Sequence, residues 1–286
     1  MSYSSRIATS RDKESVSTLC SRAMGEDDYV IEILDKTISA GGLFLALDQN
    51  RVIGIANFQK VSSDGSAWLS MARTDPEYRG RRVAGYLQKV IASRARQEGI
   101  HELRFLVNSS NTPSIRSALR GGFRPIAETA HASFFLEKTR YGHIKKARVR
   151  ALSNSETVSI MSGSTYLNKA NGYLAYGWHF EKSSASRLEE LSTNGKAYAS
   201  ADQDSAFLFG CAEDWDPDRY HAEFFILKGT IKRTLEIIKE YGASLKLKSI
   251  GTFLPYNKYL IRSVLNEDSF KVDPWADHGI VFGRKC

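Results

Sequence analysis

The sequence predicts an α+β protein with two similar halves, each a mixed, mostly antiparallel twisted sheet flanked by helices. Two amphipathic helices and a run of strands come first, and a strand, turn, helix, strand, helix and strand follow. The second half repeats much of this order. With 286 residues, 42% of them hydrophobic, the chain has enough apolar material for two ordinary cores. We therefore expect domains over residues 1–140 and 141–286.

The first half shows the pattern in detail. Apolar residues recur at helical spacing over residues 12–24 and 29–39, which predicts two amphipathic helices. A polar turn then separates two apolar runs, which predicts a hairpin, and strands and helices alternate after it. These later elements are predicted as strands at residues 42–47, 52–58, 67–72, 103–107 and 132–137, and as helices at residues 83–97 and 113–120.

The second half echoes the first from residue 195 onward. The run from Gly195 to Gln203 resembles the run from Gly42 to Gln49, and the counterparts of the later elements follow in the same order. One duplicated and diverged segment is the simplest account, with a boundary near residues 139–146. The counterparts are the runs at residues 206–212, 221–227, 231–240, 245–254 and 257–270.

The positive charge of the chain is local. The formal net charge is +8, and residues 73–124 hold 11 Arg and Lys against 4 Asp and Glu, so this segment alone carries +7. A compact basic segment beside a glycine-containing turn suits a small polyanion, such as a nucleotide phosphate, better than a long duplex. Nucleic acid stays an alternative partner, but no interleaved aromatic and basic pattern supports it.

Neither a membrane span nor a metal site is expected. No stretch approaches the roughly 20 apolar residues that a span requires, and the polar N-terminal segment lacks the apolar core of a signal peptide. We therefore expect a cytoplasmic protein. The three cysteines, Cys20, Cys211 and Cys286, lie far apart without metal-ligand spacing and are expected to be free thiols.

One turn in the first half has the composition of an anion site. It precedes the helix at residues 83–97, and a helix N-terminus presents unpaired N–H groups and the positive end of the helix dipole. Small residues let a pyrophosphate approach the backbone, and arginines add positive charge. The small residues are Gly80, Ala84 and Gly85, and the arginines are Arg79, Arg81 and Arg82.

The same run resembles the signature of the GNAT family of acetyl-CoA-dependent N-acetyltransferases. That signature is Gln or Arg, two residues, Gly, one residue, then Gly or Ala. It is filled from Arg79 to Ala84, except that Arg82 stands where the family has its central Gly. This departure matters less if the backbone of Arg82 keeps a negative φ. The resemblance covers about residues 6–138 and includes Asn111, Ile115, Gly122 and Phe123 at the family's spacing.

The resemblance implies a site for acetyl-CoA as co-substrate, without a metal. The amides of residues 80–85 would hold the CoA pyrophosphate, and the edge of the third strand would pair with the pantetheine arm. Asn111 would lie near the reacting thioester. The cofactor-binding residues predicted in this way are Ala72, Arg73, Thr74, Arg79, Gly80, Arg81, Arg82, Val83, Ala84, Gly85 and Asn111.

The implied reaction is direct attack of an amine on the thioester carbonyl, without a covalent enzyme intermediate. A backbone N–H near Ala72 or Arg73 would stabilise the oxyanion. Many family members place a Tyr acid seven residues after the Asn, but this chain has Ala118 there. The acid and base therefore stay open. The candidates are Ser114, Ser117 and Tyr86, then His101 and His131, although each of these residue types is more often structural.

The second half lacks a counterpart of the arginine turn, because a single glycine, Gly229, follows its strand at residues 221–227. It is expected to be a diverged copy that does not bind CoA. Its aromatic residues could line an acceptor pocket, but a core is favoured. They are Tyr166, Tyr173, Tyr176, Trp178, His179, Phe180 and Trp215.

These features favour transfer of an acetyl group from acetyl-CoA to a primary amine of a small molecule or peptide, by a chain that could form a homodimer. The alternative is a CoA-binding regulatory or scaffold protein without turnover, which Ala118 and the diverged second half would suit. The acceptor stays open, because acceptor pockets are built from loops whose conformation the sequence does not fix.

Overall fold

The chain divides into two compact units in a computed structural model that describes residues 3–136, 148–176, 179–211, 221–259, 261 and 270–286. Unit 1 comprises Met1–Leu106, Asn111–Arg124 and Phe282–Cys286, and unit 2 comprises Val107–Ser110 and Pro125–Val281. Both units combine a sheet with flanking helices, so the predicted α+β class is confirmed.

Unit 1 contains an antiparallel run of strands that ends in a parallel pair. Its strands are β1 (Ser4–Ile7), β2 (Leu43–Asp48), β3 (Arg51–Val61), β4 (Ser66–Thr74) and β5 (Glu102–Asn108). They follow one another in the sheet in this order, and only β4 and β5 run parallel. The helices are α1 (Lys13–Met24), α2 (Tyr29–Glu32), α3 (Leu34–Ser39), α4 (Val83–Gln97) and α5 (Thr112–Arg120).

The helices of unit 1 follow the apolar periodicity of the sequence. Helix α4 has the predicted bounds, and Val83, Leu87 and Ile91 on its buried face are each at most 2% exposed. The predicted helix at residues 29–39 is instead two helices, because the backbone of Ile33 leaves the helical region at φ −101° and ψ 9°. The apolar spacing therefore located the buried face correctly but did not reveal the break.

Unit 2 also places a helix between two parallel strands. Its strands are β6 (Arg124–Phe135), β7 (Val149–Ala151), β8 (Tyr173–Tyr176), β9 (His179–Lys182), β10 (Ala197–Ser200), β11 (Ala206–Cys211), β12 (His221–Lys228), β13 (Ser249–Pro255) and β14 (Lys271–Val272). The sheet order is β6, β13, β12, β11, β10 and β7, with β14 on β6 and a separate β8–β9 hairpin. The helices are α6 (Asn154–Ser162), α7 (Thr165–Lys169), α8 (Ala185–Thr193) and α9 (Ile231–Ser244).

Two strands depart from the expected division at residue 140. Strand β6 belongs to the first half of the sequence, yet all of it after Arg124 lies in unit 2, where it pairs antiparallel with β13. The end of β15 (Gly279–Lys285) lies in unit 1, where the buried ring of Phe282 stacks on Phe105 with centroids 5.6 Å apart. Each unit therefore contains a strand segment from the other half of the sequence. The expected boundary at residues 139–146 lies outside the described residues.

The aromatic residues of the second half mostly fill a core. Tyr166, Tyr173 and Phe180 are at most 9% exposed, and the Phe180 ring packs edge-on against Phe253. Trp178, Trp215, the side chain of Tyr176 and most of the predicted run at residues 257–270 lie outside the described residues. Among the helices that the structure describes, none is long and apolar enough to cross a membrane.

Candidate functional site

Strand β4 carries a bulge at the residues predicted to lie near the reaction. Met71 and Ala72 together face the single residue Ala56 of β3, and Met71 has a left-handed φ of 56°. A bulge leaves its extra residue outside the hydrogen-bonding ladder. Strand β4 pairs with β5 only over residues 66–68. The bulge therefore lies where β4 and β5 have already separated, and its backbone can face a ligand.

The turn between β4 and α4 is open and left-handed. Gly80 has φ 79°, and Arg82, directly before the first residue of α4, has φ 63°. A Cβ added at Gly80 or Gly85 would meet no heavy atom within 4 Å. The turn thus leaves space for a ligand over the N-terminal N–H groups of a 15-residue helix.

The conformation of Arg82 settles whether its departure from the family signature matters. The departure would matter less with a negative φ, but the backbone occupies the left-handed region at φ 63° and ψ 23°. For a residue with a Cβ this conformation costs about 1–2 kcal/mol. The position of the signature's central Gly is therefore left-handed in this chain, which keeps the conformation without the glycine.

A buried carboxylate fixes the start of the turn. Asp75 is 2% exposed and accepts a hydrogen bond from the backbone N–H of Glu77 at 3.0 Å. Its Oδ2 atom lies 2.8 Å from Arg51 Nη2 and 3.1 Å from Arg22 Nη1. Burial alone would raise the pKa of Asp75, but the Glu77 N–H and the two arginines outweigh burial and lower it. The side chain of Asp75 is thus held as a charged carboxylate.

The arginines of the turn are exposed at its surface. Arg79 donates to the carbonyl of Ala23 at 2.8 Å, and the guanidinium of Arg81 lies 5.1 Å from the ring centroid of Tyr78. These contacts hold the two side chains beside the turn. Together with Arg82 they place positive charge around the open turn.

Helix α4 lies unusually close to β3 at Gly54. A Cβ added at Gly54 would be 2.6 Å from Val83 Cγ1 and 3.2 Å from the carbonyl oxygen of Arg73. Only glycine therefore allows the first turn of α4 and strand β4 to approach β3 in this way. Gly54 thus positions the turn relative to the strand that carries the bulge.

The predicted residues of α5 have structural contacts. The side chain of Asn111 caps the helix by accepting the Ser114 N–H at 3.2 Å. Ala118, at the position of the family's Tyr acid, is fully buried. Ser114 and Ser117 are half-buried on the same helix. A contact of Asn111 with a co-substrate therefore stays a prediction, and the Ala118 side chain offers no proton.

Two other candidates lie away from the bulge. The Tyr86 hydroxyl donates to Ser5 Oγ at 3.1 Å on strand β1, three strands from β4 and therefore about 14 Å away. His101 precedes β5, and its N–H donates to the carbonyl of Gly65, just before β4 begins. This is the end of the β4–β5 pair that lies opposite the bulge. Neither residue is placed to exchange a proton there.

His131 is a buried residue of unit 2 with both ring nitrogens occupied. Its Nδ1 contacts the carboxylate of Asp273, and its Nε2 lies 3.1 and 3.2 Å from the two oxygens of Glu223. The side chains meet across β13 at Gly251, where an added Cβ would be 2.4 Å from Glu223 Oε1 and 2.7 Å from His131 Nε2. His221 completes the cluster at 2.7 Å from Glu223 Oε1.

The two carboxylates keep His131 protonated. Burial alone would lower the pKa of His131, but the charge of Glu223 and the hydrogen bonds with Asp273 and Glu223 raise it to about 9. Burial would raise the pKa of Glu223, but the charge and hydrogen bond of His131 lower it to about 2. His131 therefore acts as the cation of an ion-pair network and not as a free base.

The corresponding connection in unit 2 is short and covered. Only Gly229 and Thr230 separate β12 from α9. A Cβ added at Gly229 would be 2.6 Å from Thr234 Oγ1 and 2.7 Å from Ser205 Oγ, and these two hydroxyls hydrogen-bond to each other at 3.1 Å. Side chains thus fill the space that is open above the turn in unit 1.

The thiols show no reactive environment in the part of the chain that the structure describes. Cys20 is buried, and burial together with the nearby Asp28 raises its pKa to about 12. Burial also raises the pKa of Cys286. Over the described ranges, no group of three His, Cys, Asp or Glu side chains could hold a metal ion.

Sequence reasoning missed Asp28. Its carboxylate accepts two hydrogen bonds, in a bidentate arrangement, from the guanidinium of Arg73, the residue that follows the bulge. The available signal was the cap position of Asp28 directly before a helix, where its carboxylate accepts the Val30 N–H at 3.3 Å. The pairing across 45 residues of sequence carried no local signal.

Residues 12–123 match the model of the acetyltransferase (GNAT) family. This range includes the bulge of β4, the open turn and helices α4 and α5. Over these residues the chain therefore matches the GNAT acyltransferase family, as the resemblance of the turn predicted.

The chain is also similar to individual acetyltransferases. A mycothiol acetyltransferase of Brachybacterium faecium is 29% identical over 104 residues, which cover 35% of this chain and 31% of that protein's length. A Thermoplasma acidophilum structure, provisionally described as an acetyltransferase, has a TM-score of 0.62 at 18% identity and covers 99% of this chain and 100% of its own. A GCN5-related N-acetyltransferase from Sphaerobacter thermophilus has a TM-score of 0.60 at 10% identity, with coverages of 99% and 95%. These two structures show a shared fold.

Replacing the strained arginine should stabilise unit 1. We expect Arg82→Gly to raise the free energy of unfolding by about 1 kcal/mol, because glycine adopts a positive φ without the Cβ clash. Urea unfolding measures the change. The matched control is Arg81→Gly in the same turn, which should lower stability by about 0.4–1 kcal/mol through unfolded-chain entropy. Equal effects of the two changes would contradict strain at Arg82.

The His131 network should make stability depend on pH. Because folding raises this pKa from 6.5 to about 9, its contribution is complete below the lower value and is lost as pH rises through the higher one. The free energy of unfolding should fall by on the order of 3 kcal/mol across that interval. Urea unfolding near pH 6.5 and near pH 9 measures this fall in the free energy of unfolding. The fall should be shallower in Asp273→Asn, and a parent curve that stays flat would show that His131 is not held protonated.

Proposed function

We propose that this chain transfers an acetyl group from acetyl-CoA to an amine acceptor, with the CoA pyrophosphate bound at the turn from Arg79 to Gly85. The match of residues 12–123 to the GNAT family model supports acyl transfer, and the mycothiol acetyltransferase among the relatives supports acetyl as the group that is moved. The resemblance to the family indicates only the chemical class of the acceptor, which is an amine.

The observation that carries this proposal is the open left-handed turn at the start of α4. Gly80 and Arg82 both have a positive φ, and successive backbone N–H groups in a turn can form a concave nest that binds anions. The space above Gly80 and Gly85 is free, and the arginines beside it are cationic. A pyrophosphate therefore fits the turn in shape, hydrogen bonding and charge.

The bulge supplies the second part of the site. In this proposal the edge of β4 at Ala72, Arg73 and Thr74 pairs with the pantetheine arm, because β4 has left β5 beyond residue 68. A bulge N–H then points at the thioester oxygen and stabilises negative charge that develops there. The donor is held by the fold before reaction, so little reorganisation is needed.

Proton transfer does not require a side chain at Ala118. The thiol of CoA is a good leaving group, so water can protonate the departing sulfur. Ser114 and Ser117 stay the candidates on α5. The side chains of Tyr86 and His131 make other hydrogen bonds, and His101 lies at the end of the β4–β5 pair opposite the bulge. The N–H groups of the bulge thus carry the main catalytic role that we propose for this chain.

We further propose that unit 2 is a diverged copy of unit 1 that does not bind CoA. The strand, helix and parallel strand β12, α9 and β13 repeat the order of β4, α4 and β5. The covered connection at Gly229 supports the loss of an anion site.

A CoA-binding regulatory protein without turnover is the second candidate. The observation that favours it is that a buried alanine, Ala118, stands at the position of the family's Tyr acid. The two functions differ in one measurement, the release of CoA thiol from acetyl-CoA in the presence of hydroxylamine as an amine probe. A chain that binds CoA but does not accelerate this release above the uncatalysed reaction would support the regulatory function.

A variant of the turn tests the binding site. We expect acetyl-CoA at about 100 times its dissociation constant to stabilise the parent by about 2.7 kcal/mol, read as a higher midpoint of thermal unfolding. Gly85→Glu should abolish this rise, because the new carboxylate occupies the open space and repels phosphate. The variant should fold, since Glu is favoured in the first turn of a helix.

The matched control places the same charge farther along α4. Ser93→Glu is exposed on that helix and should keep the full response to acetyl-CoA. A parent without any response, or a Gly85→Glu variant with an unchanged one, would overturn the proposed binding site.

A further inference from the structure

A buried ion pair lies directly beside the bulge of β4. Arg73 Nε is 2.8 Å from Asp28 Oδ2, and Arg73 Nη2 is 2.7 Å from Asp28 Oδ1. The side chains are 11% and 1% exposed, so the pair is almost fully removed from water. Two parallel hydrogen bonds fix the guanidinium in orientation as well as in distance.

The pair keeps both charges in spite of its burial. Burial alone would raise the pKa of Asp28, but the hydrogen bonds and charge of Arg73 and the Val30 N–H lower it. The ring of Tyr29 lies 5.4 Å from Arg73 Cζ and provides a cation–π contact. Each charge therefore depends on the other, because removal of one partner would leave a buried charge unpaired.

The bulge is held on both sides by the helices α2 and α3. After the bulge, Asp28, which caps α2, holds Arg73, and the Arg73 Nη1 also donates to the carbonyl of Ala72 at 3.3 Å. Within the bulge, the Met71 sulfur accepts from Thr37 Oγ1 of α3 at 3.8 Å, and its side chain packs on the core cluster of α1 to α3 and β2. The left-handed backbone of Met71 is thus maintained by contacts on either side.

We infer that Asp28 is a positioning residue for acetyl transfer, which orients the N–H groups of Met71 and Ala72 through Arg73. This inference rests on the proposed function. Asp28 touches neither the turn nor its arginines among the contacts of the described residues, so it acts on the thioester end of the co-substrate and not on the pyrophosphate. Loss of its charge should therefore lower the rate of transfer without weakening CoA binding.

The test is Asp28→Asn, which removes the charge but keeps an N-cap, because Asn and Asp cap helices about equally well. Amide NMR compares the chain with CoA and with acetyl-CoA. In the parent, both ligands should shift the amides of residues 80–85, and only acetyl-CoA should shift those of Met71 and Ala72 further. In Asp28→Asn the shifts at the turn should persist, and the acetyl-dependent shifts at the bulge should disappear.

A rate measurement gives the second readout. With hydroxylamine as the amine probe, kcat for CoA release should fall on the order of 100-fold in Asp28→Asn, as expected when a transition-state donor is displaced. KM for acetyl-CoA should change little. The matched control is Asp35→Asn on α3. This change removes an exposed ion pair with Lys13 of α1 and should leave both readouts unchanged.

The outcomes separate this inference from the proposed function. If the parent shows no shift at residues 80–85 with either ligand, the proposed CoA site itself fails. If the turn responds but the bulge never distinguishes acetyl-CoA from CoA, or does so equally in Asp28→Asn, the positioning role of Asp28 is overturned while the CoA site stands.

Discussion

The site in unit 1 depends on the close approach of α4 to β3 at Gly54. Val83, the first residue of α4, occupies the space where a side chain at position 54 would stand, and the carbonyl of Arg73 lies on the same glycine. One residue without a side chain therefore sets the distance between the helix start and the bulged strand. The proposed pyrophosphate and thioester contacts come from these two elements, so their spacing determines whether a single acetyl-CoA can reach both.

The two units differ in the connection between a strand and the helix that follows it. In unit 1, residues 75–82 separate β4 from α4, and the N–H groups at the helix start stay open. In unit 2, the two residues Gly229 and Thr230 make the same connection, and the hydroxyls of Ser205 and Thr234 fill the space. The strand, helix and strand order is the same in both units, but the space that we propose as the anion site in unit 1 is filled in unit 2.

Local patterns in the sequence predicted the local structure well. Helix α4 followed from apolar spacing, and the cluster of arginines and small residues located an open turn before it, because both depend on neighbours within a few residues. The binding of an anion at this turn stays a prediction. The unit membership of β6 and β15 could not be predicted in this way, because strands pair with distant segments. The contact of Asp28 with Arg73 could not be predicted for the same reason, since the two residues are distant in sequence. The positive φ of Arg82 could not be predicted either, because arginine disfavours the conformation that the turn imposes.

In the function that we propose, unit 1 alone holds acetyl-CoA, along a path from the bulge to the turn. Hydrogen–deuterium exchange with and without saturating acetyl-CoA is the decisive measurement, because every amide in the chain reports at once. We expect slower exchange over residues 71–85 and unchanged exchange over residues 229–234. Protection at the start of α9, or no protection between the bulge of β4 and Gly85, would contradict it.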